Sequence, residues 1–132
     1  IEVTNSKHLK LGIQNSVVTN YDGRKYPSIM TGFDRVLLDA PCTGLGVIAR
    51  DPAIKGSKSA KEILFYPSLK RTSNTAIDCV DAHSKTGGII VYSTCSITVE
   101  ENEWVIDYAL QTRHVKLVEC DFEIGEPGLK SY

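Results

Sequence analysis

The sequence lacks the features that would place it in a membrane or around a metal ion. No apolar run approaches the ~20 residues that cross a bilayer, and the opening IEVTNSKHLK has no apolar core of the kind found in signal peptides. None of the four cysteines forms a C-x-x-C pair, and none has a histidine at metal-ligand spacing. We therefore expect no membrane association, no metal site and, in a chain of this size and composition, no disulfide framework.

The composition is that of an ordinary globular domain, but the charge is unevenly distributed. The chain has 132 residues, of which 42% are hydrophobic and 23% charged. Residues 1–71 contain 11 Lys and Arg against 6 Asp and Glu, whereas residues 72–132 contain 4 against 10. Two interpretations remain open: a dipolar surface without a role, or a basic half that faces an anion such as RNA phosphate.

Short apolar runs alternate with longer amphipathic stretches, which predicts β-α-β units around a mostly parallel sheet. Capping-box patterns at 59–62 and 98–101 indicate two helix starts, and Pro67 interrupts the first of these helices. We expect Cys79 and Cys120 to be buried apolar fillers. The predicted strands are 16–23, 33–41, 87–95 and 114–120, and the predicted helices are 59–65, 67–82 and 98–112. The residues predicted to face inward from the two longer helices are Leu69, Ala76, Ile77, Val80, Val105, Ile106, Ala109 and Leu110.

Two cysteines follow the two clearest strands. Residues 39–46, DAPCTGLG, contain Cys42 at the end of the first strand, and residues 93–96, STCS, contain Cys95 at the end of the second. The carboxyl ends of parallel strands form the edge where open α/β sheets bind ligands. If the strands are neighbours, the two thiols lie within several Å of each other. From spacing alone, two buried structural thiols remain the alternative to a functional pair.

The segments FDRVLLDAPCTGLGVIARDP and GGIIVYSTCSITVEENEWV closely resemble the Nop/Sun-type RNA cytosine-5 methyltransferase family. The resemblance is nearest to its nucleolar branch, which acts on large-subunit ribosomal RNA, and it covers about residues 9–118. It implies a partial Rossmann-like class I methyltransferase fold. It also implies RNA and pre-ribosomal particles as partners, and a location in the nucleus and nucleolus.

The resemblance assigns a role to each residue of the paired motifs. Cys95 is the expected nucleophile, which adds to carbon 6 of cytosine so that carbon 5 becomes reactive. Cys42 is expected to assist removal of the carbon-5 proton and release of the methylated RNA. Asp39 is expected to hydrogen-bond the cytosine edge, and Asp22, Asp39 and Pro41 are the expected contacts to S-adenosylmethionine. An alternative exchanges the roles of the two cysteines, since DNA cytosine methyltransferases use the cysteine of a Pro-Cys pair.

Basic residues follow the first cysteine motif, and among them Arg50 and Lys55 are the predicted RNA contacts. The alternative for any one of these side chains is a solvated surface charge. A single-stranded RNA with its target base out of the stack is the expected substrate form.

The glycine-rich donor loop and the following strand of the family are not present in this sequence. We therefore expect residues 1–132 to be the C-terminal portion of an S-adenosylmethionine-dependent methyltransferase domain. The strand at 16–20 then has no neighbour to pair with, so marginal stability and weak donor binding are expected. Thr43 keeps a hydroxyl where serine is commoner in the family. The competing functions are a non-catalytic ribosome-assembly or RNA-binding module and a thiol redox protein, the latter disfavoured by the absence of C-x-x-C.

Overall fold

A computed structural model describes residues 7–50, 66–119 and 125–131 of the chain. Its strands are β1 (Arg35–Asp39) and β2 (Ile89–Ser93), and its helices are α1 (Tyr66–Asp78) and α2 (Glu103–Thr112). Short 3-10 helices span Gly23–Ser28, Leu45–Val47 and Val99–Glu101, and residues 7–10 are also helical. Within the described ranges, no helix has the length and apolar character needed to span a membrane.

The two strands pair in parallel, with Arg35 opposite Ile89 and Asp39 opposite Ser93. Helix α1 lies between them in the sequence, so the three elements form a β-α-β unit. The Ala40 N–H continues the ladder beyond β1, since it donates to the Ser93 carbonyl at 2.8 Å. The predicted α/β class with a parallel sheet is confirmed, and the two cysteine loops leave the same edge of that sheet.

Both helices pack on one face of the sheet. Leu69 of α1 and Val105 of α2 are fully buried, and they form the core together with Ala40. Leu38 and Tyr92, which are opposite each other in the register, pack against this core from the sheet. Because side chains alternate along a strand, Leu37 and Val91 point to the other face, where both are exposed.

No strand forms at 16–23 or at 114–119, which is the described part of the strand predicted at 114–120. Residues 16–22 and 115–119 have no regular secondary structure, and the 3-10 turn begins at Gly23. Within the described part of the chain the sheet contains only β1 and β2. An extended segment becomes a strand only when a neighbour satisfies its backbone groups, so apolar alternation alone was an insufficient signal here.

The helix predictions were correct in position and less so at the ends. Helix α1 ends at Asp78 instead of residue 82, and Pro67 lies in its first turn, where the missing N–H is not needed. The predicted helix at 98–112 begins as a 3-10 turn, and the Thr98 side chain makes no capping bond. The predicted helix at 59–65 lies outside the described residues.

The core prediction was largely correct. Cys79 is buried as predicted, whereas Cys120 lies outside the described residues. Leu69, Ala76, Val105 and Ala109 are buried, Ile77, Val80 and Ile106 are partly buried, and Leu110 is exposed.

Candidate active site

The two predicted functional cysteines are in contact. The Sγ atoms of Cys42 and Cys95 lie 3.1 Å apart, and both thiols are free. The backbone N–H of Cys95 also donates to the Cys42 Sγ at 3.3 Å. Cys95 is exposed, whereas Cys42 is partly buried. The expectation that adjacent parallel strands bring the thiols together is confirmed.

Two glycines shape the Cys42 loop so that it fits against the Cys95 loop. Gly44 has φ +74°, a left-handed conformation that favours glycine. Gly46 donates its N–H to the Cys95 carbonyl at 2.9 Å. A Cβ at Gly46 would lie 2.8 Å from that carbonyl oxygen and 3.2 Å from Cγ2 of Ile97. The close approach of the two loops therefore requires glycine at position 46.

A buried glutamate joins the Cys42 loop to the segment after Cys95. The Thr43 N–H donates to Oε1 of Glu101 at 2.9 Å, and the Thr43 hydroxyl donates to Oε2 at 2.6 Å. Burial by itself raises the pKa of this carboxyl, but hydrogen bonds from Ser96, Thr43 and Thr98 outweigh it, so the net pKa is lowered. Glu101 is therefore ionised at neutral pH although its side chain is almost completely buried.

Asn102, the next residue, organises the Cys95 loop. Its amide Nδ2 donates to the Ser96 carbonyl at 3.1 Å and to the Thr98 carbonyl at 2.8 Å. Its Oδ1 accepts a hydrogen bond from the Thr94 hydroxyl at 2.7 Å. These three bonds hold residues 94–98 in a compact turn around Cys95.

The contact between the thiols affects their ionisation. The pKa of Cys95 is raised, first because its thiol is hydrogen-bonded to Cys42, then by burial and by the charges of Cys42 and Asp39. Two thiolates in contact repel each other, so the ionisation of one thiol opposes the ionisation of the other. The raised pKa keeps Cys95 predominantly a thiol at neutral pH, and either sulfur can be the donor in the hydrogen bond that it shares with Cys42.

Asp39, a predicted contact to both cytosine and the methyl donor, ends β1 beside the thiols. One of its carboxylate oxygens accepts a hydrogen bond from the Ser93 hydroxyl at 3.0 Å, and the residue is exposed. Pro41, a predicted donor contact, is also exposed on the loop between Asp39 and Cys42. Both are therefore open to a ligand at the sheet edge.

Asp22, the third predicted donor contact, precedes the 3-10 turn Gly23–Ser28 and is paired with Arg24. The Arg24 guanidinium donates to both carboxylate oxygens at 2.8–3.2 Å, and the Arg24 N–H donates to Oδ1 at 3.0 Å. These bonds lower the pKa of Asp22 to about 2. A permanently ionised carboxylate suits the hydroxyl and amino groups of a nucleoside, and here Arg24 already occupies it.

Of the two predicted RNA contacts, only Arg50 is among the described residues. It is exposed in the turn after Leu45–Val47, and its N–H donates to the Val47 carbonyl at 2.9 Å. Lys55 lies outside the described residues. Over the described ranges, no cluster of three His, Cys, Asp or Glu side chains has the geometry to hold a metal ion.

Sequence reasoning missed Glu101 and Asn102, and it gave Thr43 no role. The spacing of Thr98 and Glu101 matches a capping box, and this local interpretation hid the longer-range partner of the carboxylate. The sequence offered no direct signal for the contact between Thr43 and Glu101, because 58 positions separate the two residues.

Comparison with known proteins gives the family. The sequence profile described as 16S rRNA methyltransferase RsmB/F matches residues 2–129. Over 124 residues the chain is 54% identical to the human 28S rRNA (cytosine(4447)-C(5))-methyltransferase, covering 93% of this chain and 15% of that protein. It is 44% identical over 122 residues to ribosomal RNA small subunit methyltransferase B of Escherichia coli K12, covering 90% of this chain and 26% of that protein.

Solved structures agree. The crystal structure of NSun6 from Pyrococcus horikoshii with SFG superposes with a TM-score of 0.83 at 31% identity, over 96% of this chain and 31% of that one. A methyltransferase homologue from the same organism superposes with a TM-score of 0.79 at 32% identity, over 97% and 38%. The chain spans about a sixth of the length of the human relative. Its sequence match and its Rossmann-like fold show that the chain belongs to the RsmB/F family of rRNA methyltransferases.

Proposed function

We propose that this chain carries the catalytic cysteines of an RNA cytosine-5 methyltransferase that acts on large-subunit ribosomal RNA. The observation that carries the proposal is the 3.1 Å contact between Cys42 and Cys95 at the carboxyl edge of the sheet. Support for the substrate comes from the relatives, because the human protein is named a 28S rRNA cytosine-5 methyltransferase. A large-subunit substrate implies pre-ribosomal particles as partners and the nucleus, with its nucleolus, as the location.

In the proposed reaction Cys95 is the nucleophile. Its thiolate forms a bond to carbon 6 of cytosine, and the electron pair of the ring double bond makes carbon 5 nucleophilic. Its exposure supports this role. Because the pKa of Cys95 is raised, its proton must leave before the sulfur adds to the ring, and this proton goes to solvent, since a neutral Cys42 thiol is not a base. Once carbon 5 is methylated, loss of its proton re-forms the double bond and breaks the carbon–sulfur bond. Cys42 is the side chain assigned to this second step.

S-adenosylmethionine, when bound, supplies the methyl group. We assign Asp22, Asp39 and Pro41 to this donor: two carboxylates as acceptors for the nucleoside, and Pro41, which is exposed on the loop after Asp39. Asp22 has to exchange its bonds with Arg24 for the donor. The NSun6 structure with SFG, an S-adenosylmethionine analogue, supports use of this donor. We assign residues 1–132 to the C-terminal portion of the donor-dependent domain, and the basic residues Arg50 and Lys55 to the RNA path.

The test is adduct trapping in the full-length protein that contains this chain. Cys42→Ala should accumulate a covalent protein–RNA complex in denaturing gels, because the bond to carbon 6 forms but is not released. Cys95→Ala should form no complex, and Cys79→Ala, which changes a buried cysteine away from the site, should turn over normally. Accumulation in Cys95→Ala and absence in Cys42→Ala would reverse the two roles. If the protein without substitutions shows neither methyl transfer nor an adduct, the result would favour a non-catalytic RNA-binding module.

A further inference from the structure

We infer that Glu101 and Asn102 are positioning residues that set the distance between the two catalytic thiols. Glu101 holds the Cys42 loop and Asn102 holds the Cys95 loop, so one peptide unit connects both. The inference rests on the proposed function for its catalytic meaning, whereas its geometric part is independent of it.

The Glu101 carboxylate makes its shortest contacts with the Cys42 loop, and it also accepts a longer hydrogen bond from the Thr98 hydroxyl at 3.4 Å. Thr43, the residue after Cys42, gives both its N–H and its hydroxyl to the two oxygens of one carboxylate. Thr43 and Glu101 are almost completely buried, with 4% and 3% of their surface exposed. A buried carboxylate is stable only when its oxygens accept hydrogen bonds. The pair therefore fixes the position of Thr43, and with it the adjacent Cys42.

The segment that carries this carboxylate is itself anchored to the sheet. The Tyr92 hydroxyl donates to the Glu101 backbone carbonyl at 2.7 Å. Tyr92 belongs to β2 and packs against the core. Glu101 is therefore bonded to β2 through Tyr92 and to the loop after β1 through Thr43.

Asn102 acts on the other loop through different atoms. It bonds the Thr94 hydroxyl and the Ser96 carbonyl, which are the residues on either side of Cys95. Since Glu101 and Asn102 are covalently adjacent, movement of one loop is transmitted to the other. The thiol–thiol distance is therefore a property of this dipeptide as well as of the strand pairing.

Thiol–disulfide exchange measures this distance without RNA or methyl donor. The two protein thiols and one glutathione disulfide give one Cys42–Cys95 disulfide and two glutathione thiols. The equilibrium constant reports the effective concentration of one thiol at the other, which falls when the loops separate. Peptide mapping after alkylation in buffers of defined glutathione ratio quantifies the disulfide. Alkylation of buried Cys79 in the same digest reports any global unfolding.

Two matched pairs of variants test this connection in the full-length protein that contains the chain. Thr43→Val removes the hydroxyl at constant shape, and Thr43→Ser keeps it. Glu101→Ala removes the carboxylate, and Glu100→Ala removes its neighbour on the same turn. We expect Thr43→Val and Glu101→Ala to lower the equilibrium constant about tenfold, and both controls to stay within about twofold of the native value.

Equal constants for Thr43→Val and Thr43→Ser with Cys79 protected would overturn the inference. If Glu101→Ala exposes Cys79, the threonine pair alone decides the result. In the full-length enzyme Thr43→Val should lower kcat with little change in KM for RNA, and Thr43→Ser should restore kcat. A further outcome is that Thr43→Val lowers the equilibrium constant for the disulfide as expected while the full-length protein forms no RNA adduct. That result would contradict the proposed function, and the geometric inference would still hold.

Discussion

At the scale of single residues, the chemistry depends on which sulfur keeps its proton. The strongest influence on Cys95 is the hydrogen bond to Cys42, and it acts against ionisation of Cys95. This hydrogen bond therefore keeps Cys95 protonated, and so less reactive, at neutral pH. Ionisation of Cys95 therefore has to break the hydrogen bond that its sulfur shares with the Cys42 sulfur, 3.1 Å away.

Removal of Cys42 should make Cys95 more acidic. Cys42→Ala deletes both the hydrogen bond and the neighbouring charge that raise the pKa of Cys95. We expect the midpoint of the pH profile for alkylation of Cys95 by iodoacetamide to move to lower pH, so that Cys95 reacts faster near neutral pH. Peptide mass spectrometry follows each cysteine separately. Cys79→Ala serves as the control and should leave the Cys95 midpoint unchanged. An unchanged or higher midpoint in Cys42→Ala would show that the contact is not what raises the pKa.

At the scale of elements, the site depends on two helices packed on one side of a two-stranded sheet. Leu69 of α1 and Val105 of α2 meet Ala40, the residue that follows β1 and precedes the Cys42 loop. Polar contacts join the ends of the helices, where Asn74 donates to Thr112 at 3.1 Å. The loop with the first cysteine therefore begins at the core.

Leu69→Ala should strongly destabilise the chain. It deletes buried methylene groups between the helices and leaves a cavity, which costs about 2–5 kcal/mol in free energy of unfolding. Urea denaturation followed by circular dichroism measures the change. The matched control is Leu9→Ala, which removes the same atoms from an exposed position and should change stability by less than ~0.5 kcal/mol. Similar losses from both variants would place the core elsewhere.

The sequence predicted elements well where apolar residues form a continuous run or recur periodically over many residues. The runs Val36–Leu38 and Ile89–Tyr92 became β1 and β2, and helical spacing identified Leu69 and Val105 as core. It failed at 16–23 and 114–120, because a strand also needs a partner that no local pattern reveals. It missed the contact between Thr43 and Glu101 for a related reason. Fifty-eight positions separate them, and a nearer, plausible partner for the carboxylate existed at Thr98.

At the scale of the whole molecule, the sheet is covered on one face only. Leu37, Ile89 and Val91 lie on the opposite face to the core and remain exposed, with 72% of Leu37 accessible. In α/β folds, helices normally cover both faces of a parallel sheet. The open face agrees with a chain that spans a minor part of the length of its relatives. Within the described residues, β1 and β2 are nevertheless sufficient to bring the Cys42 and Cys95 sulfur atoms into contact.

The measurement that tests the central claim most directly is identification of the residue that bonds to the RNA. The full-length protein is incubated with S-adenosylmethionine and a substrate RNA that carries 5-fluorocytidine, whose fluorine replaces the proton that must leave. Release is then blocked, and digestion followed by mass spectrometry locates the nucleotide. We predict that it is attached to Cys95, in the peptide that contains STCS, and that Cys42 remains a free thiol. Attachment to Cys42, or methyl transfer without any covalent adduct, would contradict the account.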